Sequence, residues 1–160
     1  MKPDSSDQRQ LFVRLADRAD LPGLLPLYRD LNPDDVELSV DAAETHLDAL
    51  GRIPGSAVHV GVLDQTIVST CTLIVLPNLT RGGQPYALIE NVVTGSQHRG
   101  RGYGRATLQH AVSAAWDHGC YKVMLLTGST KTETLGVYRS AGFEQNKTGF
   151  QIRRIAPRIG

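Results

Sequence analysis

Residues 99–105 read Arg99-Gly100-Arg101-Gly102-Tyr103-Gly104-Arg105, between two strongly patterned segments. Before them, Tyr86 to Thr94 is rich in β-branched residues and predicts a strand. After them, Leu108, Val112 and Trp116 recur every four residues, which predicts a helix over Tyr103 to His118 with those three on its buried face. Gly119 is placed to stop it. A strand that enters a glycine-rich turn and leaves as a helix N-terminus is an anion site. The first amides of the helix have no partner, its dipole favours negative charge, and the missing Cβ atoms let a phosphate approach. Arg99, Arg101 and Arg105 add positive charge at the same place. The nucleoside triphosphate loop is excluded, because no Gly-Lys-Ser/Thr ending occurs. A dinucleotide turn belongs in a first strand–helix–strand unit, with an acidic residue about 20 positions on, and neither condition holds. Arginine–glycine repetition also occurs in disordered RNA-binding segments, but those do not sit between patterned elements.

Working outward, Leu11 to Leu15 predicts a short strand, and Asp20 is a suitable N-cap for a helix with Leu21, Leu24, Leu25, Tyr28 and Leu31 on one face. Pro26 should kink or shorten that helix. An acidic loop, Asn32 to Glu37, leads to a second helix. There Asp41 and Glu44 are spaced like a capping box, Val40, Ala43, Leu47 and Leu50 face inward, and Gly51 closes the end. Val58 to Leu63 and Thr66 to Leu76 read as further strands, joined by turns at Asp64-Gln65 and Arg81-Gly82-Gly83. Connections this short force antiparallel neighbours. Tyr121 to Thr127, nearly all apolar, predicts a central strand. Thr130 and Glu133 suggest a capping box for a short helix ending at Ala141-Gly142, and Phe143 to Arg154 a terminal hairpin. The expectation is an α/β (α+β) fold: a mixed, mostly antiparallel sheet with helices on both faces. One domain spans 11–155, with tails at 1–10 and 156–160.

The 160 residues carry 17 Lys+Arg against 16 Asp+Glu and are 41% apolar, ordinary values for a globular domain. Disorder and a globally basic nucleic-acid binder are excluded on those figures. The longest apolar stretch, Ile67 to Leu76, is interrupted by Ser69, Thr70 and Thr72, so no membrane span is expected. Met1 to Gln10 is polar and does not resemble a signal segment. Two cysteines, Cys71 and Cys120, give neither a disulfide framework nor a metal cluster, and suit a reducing cytoplasm. The five histidines form no cluster in sequence, and His110 and His118 are expected on the helix surface. His98 abuts the glycine turn.

Two motifs together carry a family resemblance. Arg99, Gly102 and Gly104 fill the Gln/Arg-x-x-Gly-x-Gly/Ala pattern of the acetyl-CoA pyrophosphate loop in the GNAT acyltransferase superfamily. Tyr138-Arg139-Ser140-Ala141-Gly142-Phe143 is similar to that superfamily's Tyr-x-x-x-Gly-Phe, in register 39 residues after Arg99. The likeness covers Leu11 to Arg154. Within it, Ile89-Glu90-Asn91-Val92-Val93-Thr94 and Cys120-Tyr121-Lys122 resemble segments of glucosamine-6-phosphate N-acetyltransferases.

The resemblance implies acetyl transfer from acetyl-CoA to the primary amine of a small molecule, by direct attack through a tetrahedral intermediate and without a metal. It places the pyrophosphate on the amides from Gly100 to Gly104. The pantetheine arm then lies along Val92, Val93 and Thr94, whose backbone also polarises the thioester carbonyl. Tyr138 matches the tyrosine that donates to the departing sulfur. Full proton transfer from a phenol to a thiolate is uphill by about 2 kcal/mol, so Tyr138 reads as a hydrogen-bond donor unless its pKa is depressed. The incoming amine must lose a proton, and Glu90 is the best-placed base, directly or through a water. An alternative for Glu90 is a solvated strand carboxylate. Many superfamily members carry an asparagine seven residues before the tyrosine. Lys131 stands there, leaving Thr130 or Thr134 to orient the pantetheine.

Up to Glu90 the chain holds seven basic and thirteen acidic residues, and after it ten basic and three acidic. The field of the second part suits a polyanion such as CoA. Asp34 and Asp35 in the acidic loop suit a cationic acceptor, with Asn91 a further contact. A sugar phosphate would instead call on Arg81, Arg153 and Arg154. Other readings remain at this level: a non-catalytic CoA-binding regulatory module, or an acetyltransferase for peptide or protein amines. The resemblance also implies a homodimer.

Overall fold

The computed structural model describes residues 9–156, so most of each expected tail lies outside the described residues. The first strand, β1 (Phe12–Leu15), precedes a 3-10 turn and two helices, α1 (Leu21–Leu31) and α2 (Val40–Gly51). A meander follows: β2 (Ala57–Leu63), β3 (Thr66–Leu76) and β4 (Tyr86–Thr94). Then come α3 (Tyr103–Asp117), β5 (Val123–Leu125) and α4 (Thr132–Ser140). The five strands form one sheet in chain order, antiparallel up to β4, with β5 added parallel to it. The mixed, mostly antiparallel expectation holds.

Period-two alternation sorts each strand's side chains onto two faces. Val58 and Val60 point to one face and pack with Leu21, Leu24 and Ala43 of α1 and α2. Cys71, Leu73, Ala87 and Ile89 point to the other and pack with Leu108, Ala111 and Ala115 of α3, with α4 completing that layer through Tyr138. Helices therefore cover both faces, as expected.

Several local expectations fail for identifiable reasons. Asp20 does not cap α1, because its carboxylate is taken by Arg14 at 2.6 and 2.8 Å. The 3-10 turn is instead capped by Asp17, in a reciprocal box with Asp20. Helix α1 runs through Pro26. The carbonyl that Pro26 leaves without its helical donor belongs to Pro22, and both prolines lie on the exposed side of the helix. Ser39, not Asp41, caps α2 by accepting from the Ala42 amide, and Val40 is exposed rather than inward. On α3 the buried stripe is Leu108, Ala111 and Ala115. Trp116, one residue on, is half exposed. The Thr130–Glu133 box does not form, and Lys131 holds the cap position without a side-chain bond. Strand β5 is a three-residue edge strand rather than a long central one, and 143–154 forms no hairpin.

Candidate active site

The site is organised by an irregularity in β4. Thr72 pairs with Glu90, but Thr70 pairs with Val93, so Asn91 and Val92 together stand opposite Cys71. This is a β-bulge, and Asn91 takes the left-handed conformation there, with φ 52°. Pairing with β5 ends at Ile89. From Glu90 to Thr94, β4 therefore has no strand on its β5 side among the described residues, which leaves backbone groups there for an extended ligand to pair with.

Thr94 leads directly into the glycine turn. Gly100 and Gly102 adopt φ 73° and 81°, values that a side chain resists, and nothing lies within 4 Å of where a Cβ would stand on either. Gly104 is needed for packing instead. A Cβ there would meet the Thr94 hydroxyl at 2.8 Å. Arg99 is aimed by a 3.1 Å bond from its Nε to the Thr94 carbonyl. Helix α3 starts at Tyr103 with no side-chain cap and no acidic residue in its first turn, so its leading amides and dipole are left for an anion. A pyrophosphate fits this arrangement: uncapped amides, open space over two glycines, and three arginines beside them.

A cleft of about 760 Å³ runs from the bulge along β5 to α4, and both Glu90 and Tyr138 line it. Burial pushes the Tyr138 phenol above its usual range. A hydrogen bond with Thr127 opposes that rise, and the Glu90 carboxylate adds to it. The phenol thus stays protonated and close to the Glu90 carboxylate. Thr127 had no sequence signal, since its role depends on a residue eleven positions away across a helix. Arg153 also lines the cleft, while Thr130 and Arg154 are exposed and Thr134 is half-buried on α4. Arg81 lies at the other end of β4, its guanidinium 5.3 Å from the Tyr121 ring centre. Asn91 and Asp35 line a separate pocket beneath α1 and α2, and Asp34 is exposed beside it.

With this geometry, the sequence matches the acetyltransferase (GNAT) family over residues 24–143. The chain belongs to that family. It is an acetyl-CoA-dependent N-acetyltransferase. The glucosamine 6-phosphate N-acetyltransferase of Trypanosoma brucei brucei is 33% identical over 149 residues, covering 92% of this chain and 98% of that one. A putative acetyltransferase from Agrobacterium tumefaciens has the same architecture at 50% identity, with TM-score 0.83 over 89% of this chain and 99% of its own. The Arabidopsis thaliana glucosamine-6-phosphate N-acetyltransferase shares the fold, with TM-score 0.81 at 17% identity over 91% of this chain and 99% of its own.

Two features beneath α3 escaped the sequence reading. His110 is not a surface residue: its Nδ1 lies 2.8 Å from Nδ1 of His59, which is fully buried on β2. Burial, and then the neighbouring His110, lower the His59 pKa to about 4. Beside this pair, the Ser69 and Thr107 hydroxyls bond at 2.6 Å, and Thr107 donates to the Tyr103 carbonyl. Gly61 makes room for them, since a Cβ there would lie 2.3 Å from the Ser69 hydroxyl. A polar seam thus ties the start of α3 to β2 and β3.

Proposed function

We propose that the protein N-acetylates the primary amine of a small molecule by direct attack, with acetyl-CoA held along Val92, Val93, Thr94 and the turn from Arg99 to Arg105. The observation that carries this reading is Glu90 and Tyr138 facing one cleft at the point where β4 leaves β5. Bound there, acetyl-CoA supplies an acetyl thioester beside the Glu90 carboxylate and the Tyr138 hydroxyl. Glu90 accepts the proton of an incoming ammonium. Tyr138 donates a hydrogen bond to the sulfur as charge develops on it. Its raised pKa makes it a donor rather than an acid that gives up its proton. Backbone amides at the bulge are the donors for the carbonyl oxygen.

A covalent acetyl-cysteine route has no support. Cys71 is fully buried against α3 with its thiol pushed up to about 12, and burial also raises Cys120. Both are free thiols, which suits a reducing cytoplasm. A sugar phosphate acceptor is a second reading, favoured by the names of the relatives and by Arg153 and Lys122 on the cleft wall. A homodimer is also proposed. Phe150, Ile152 and Ile155, in the segment after α4, are almost fully exposed, and a second copy would cover them. Sedimentation of the full chain at micromolar concentration tests that. Release of CoA over a panel of amines, with Tyr138→Phe alongside, tests the activity: a protein that binds CoA but acetylates none of them is a binding module.

A further inference from the structure

The apolar pocket beneath α1 and α2 has not been used by any of the chemistry above. It holds about 500 Å³, a volume suited to a small molecule. Leu24, Leu25, Leu47 and Leu50 line it, together with polar residues of α1, α2 and the loop between them, Asn32 and His46 included. At the β4 bulge Thr72 and Asn91 line it with the half-buried Tyr28, itself hydrogen-bonded with Thr70 and Thr72. Asn91 lines this pocket and its neighbour Glu90 lines the cleft, so consecutive residues of the β4 bulge border the two cavities.

Charge narrows the class. Among the described residues lining the pocket, Arg29 is the one Arg or Lys, and its guanidinium is ion-paired with Glu37. Asp35 and Glu37 stand on the same rim. A phosphate ester placed here meets two carboxylates and the leucines, with Arg29 already held by Glu37 and the His46 imidazole the other basic side chain of the lining. An ammonium on an aryl or alkyl body meets what each of its ends requires.

We propose that this pocket receives the apolar body of the acceptor, a primary amine on an aromatic or aliphatic skeleton of about this volume, with Asn91 and Tyr28 at its amino end. The proposal rests on the acetyl-transfer reading for its product, but not for its binding. The test compares phenethylamine and hexylamine with glucosamine 6-phosphate at saturating acetyl-CoA. It is repeated in Leu47→Trp, which fills the pocket from α2, and in Leu25→Phe, which narrows it from α1 should the first variant fold poorly. The apolar amines should exceed the sugar phosphate in kcat/KM by roughly tenfold or more. Filling the pocket should raise their KM by a similar factor without moving the dissociation constant of acetyl-CoA. Preferred turnover of glucosamine 6-phosphate, indifferent to both variants, overturns the pocket assignment and leaves acetyl transfer standing. If no amine is acetylated, phenethylamine is titrated calorimetrically into the CoA-saturated protein. Heat that Leu47→Trp abolishes upholds the pocket while acetyl transfer falls. Absence of heat in the parent protein overturns the pocket.

Discussion

The last five residues of β4 border two functional features built from different material. At Thr94 the strand runs into the proposed acetyl-CoA site, made of backbone: amides, positive-φ glycines and a helix end. At Glu90 it borders one made of side chains, a carboxylate and a phenol brought together from β4 and α4. The first needs only a contiguous stretch of chain. The second needs a bulge, the end of a strand pair and the docking of a distant helix. The difference predicts how each fails: the glycine end through conformation and packing, the Glu90 end through loss of one atom.

The sharpest way to break the comparison is Gly102→Val. A β-branched residue at φ 81° is strained, and its side chain would stand in the space left for the phosphate. Acetyl-CoA binding should weaken by about 4 kcal/mol, on the order of 1,000-fold in Kd, as read by calorimetry. Near-normal binding in this variant would show that the turn's conformation does not matter.

The glycine end also rests on the His59–His110 seam under α3, which acid should undo. The unfolded chain protonates His59 near its ordinary 6.5, the folded chain only near about 4. Between those values the unfolded state binds more protons, so stability falls as pH drops through that window. The full loss is about 3 kcal/mol. Urea midpoints at pH 7 and pH 4.5 measure it, and His59→Phe should flatten the dependence. An unchanged slope in that variant assigns the proton uptake elsewhere.

Tyr138→Phe should act on chemistry alone. Losing one hydrogen bond to developing charge should lower kcat by about 2 kcal/mol, roughly 30-fold, with the Kd for acetyl-CoA unchanged. Because the phenol sits above its usual range, any fall in kcat from its ionisation should be centred above the ordinary tyrosine value. A drop centred below that would mean that Tyr138 gives up its proton in the reaction.

The same contrast explains what could be read from the sequence. The glycine turn, the meander and the register of Tyr138 with Gly142-Phe143 are encoded by neighbouring residues, and all took their expected places. What escaped depends on contacts across the fold. Asp20 is a plausible cap until Arg14, six residues away on another element, claims its carboxylate. His59 and His110 are 51 residues apart, each unremarkable alone. Trp116 fits the four-residue repeat, but helix α3 presents its alanines to the sheet, and Trp116 lies half exposed. Residues 121–127 look like a buried strand by composition, yet they pair only with β4 and only over three residues.

Arg99→Ala gives the smallest effect and separates charge from positioning within the backbone-built end. The Arg99 guanidinium is exposed, so its attraction for a phosphate is screened, and its worth is about 1 kcal/mol, roughly fivefold in Kd. Part of that is Coulombic and disappears above about 0.5 M salt, where the screening length falls to a few ångströms. The remainder comes from the Nε bond to the Thr94 carbonyl, which holds the turn against the strand end and is insensitive to salt. Arg99→Lys keeps the charge and loses that bond. It should match the parent's salt slope while sitting uniformly weaker, whereas Arg99→Ala should converge on Arg99→Lys as salt rises. If the two variants stay apart at high salt, the lysine has found a contact of its own. The turn would then be held by side chains after all, and the contrast between the two ends of β4 would be smaller than the geometry implies.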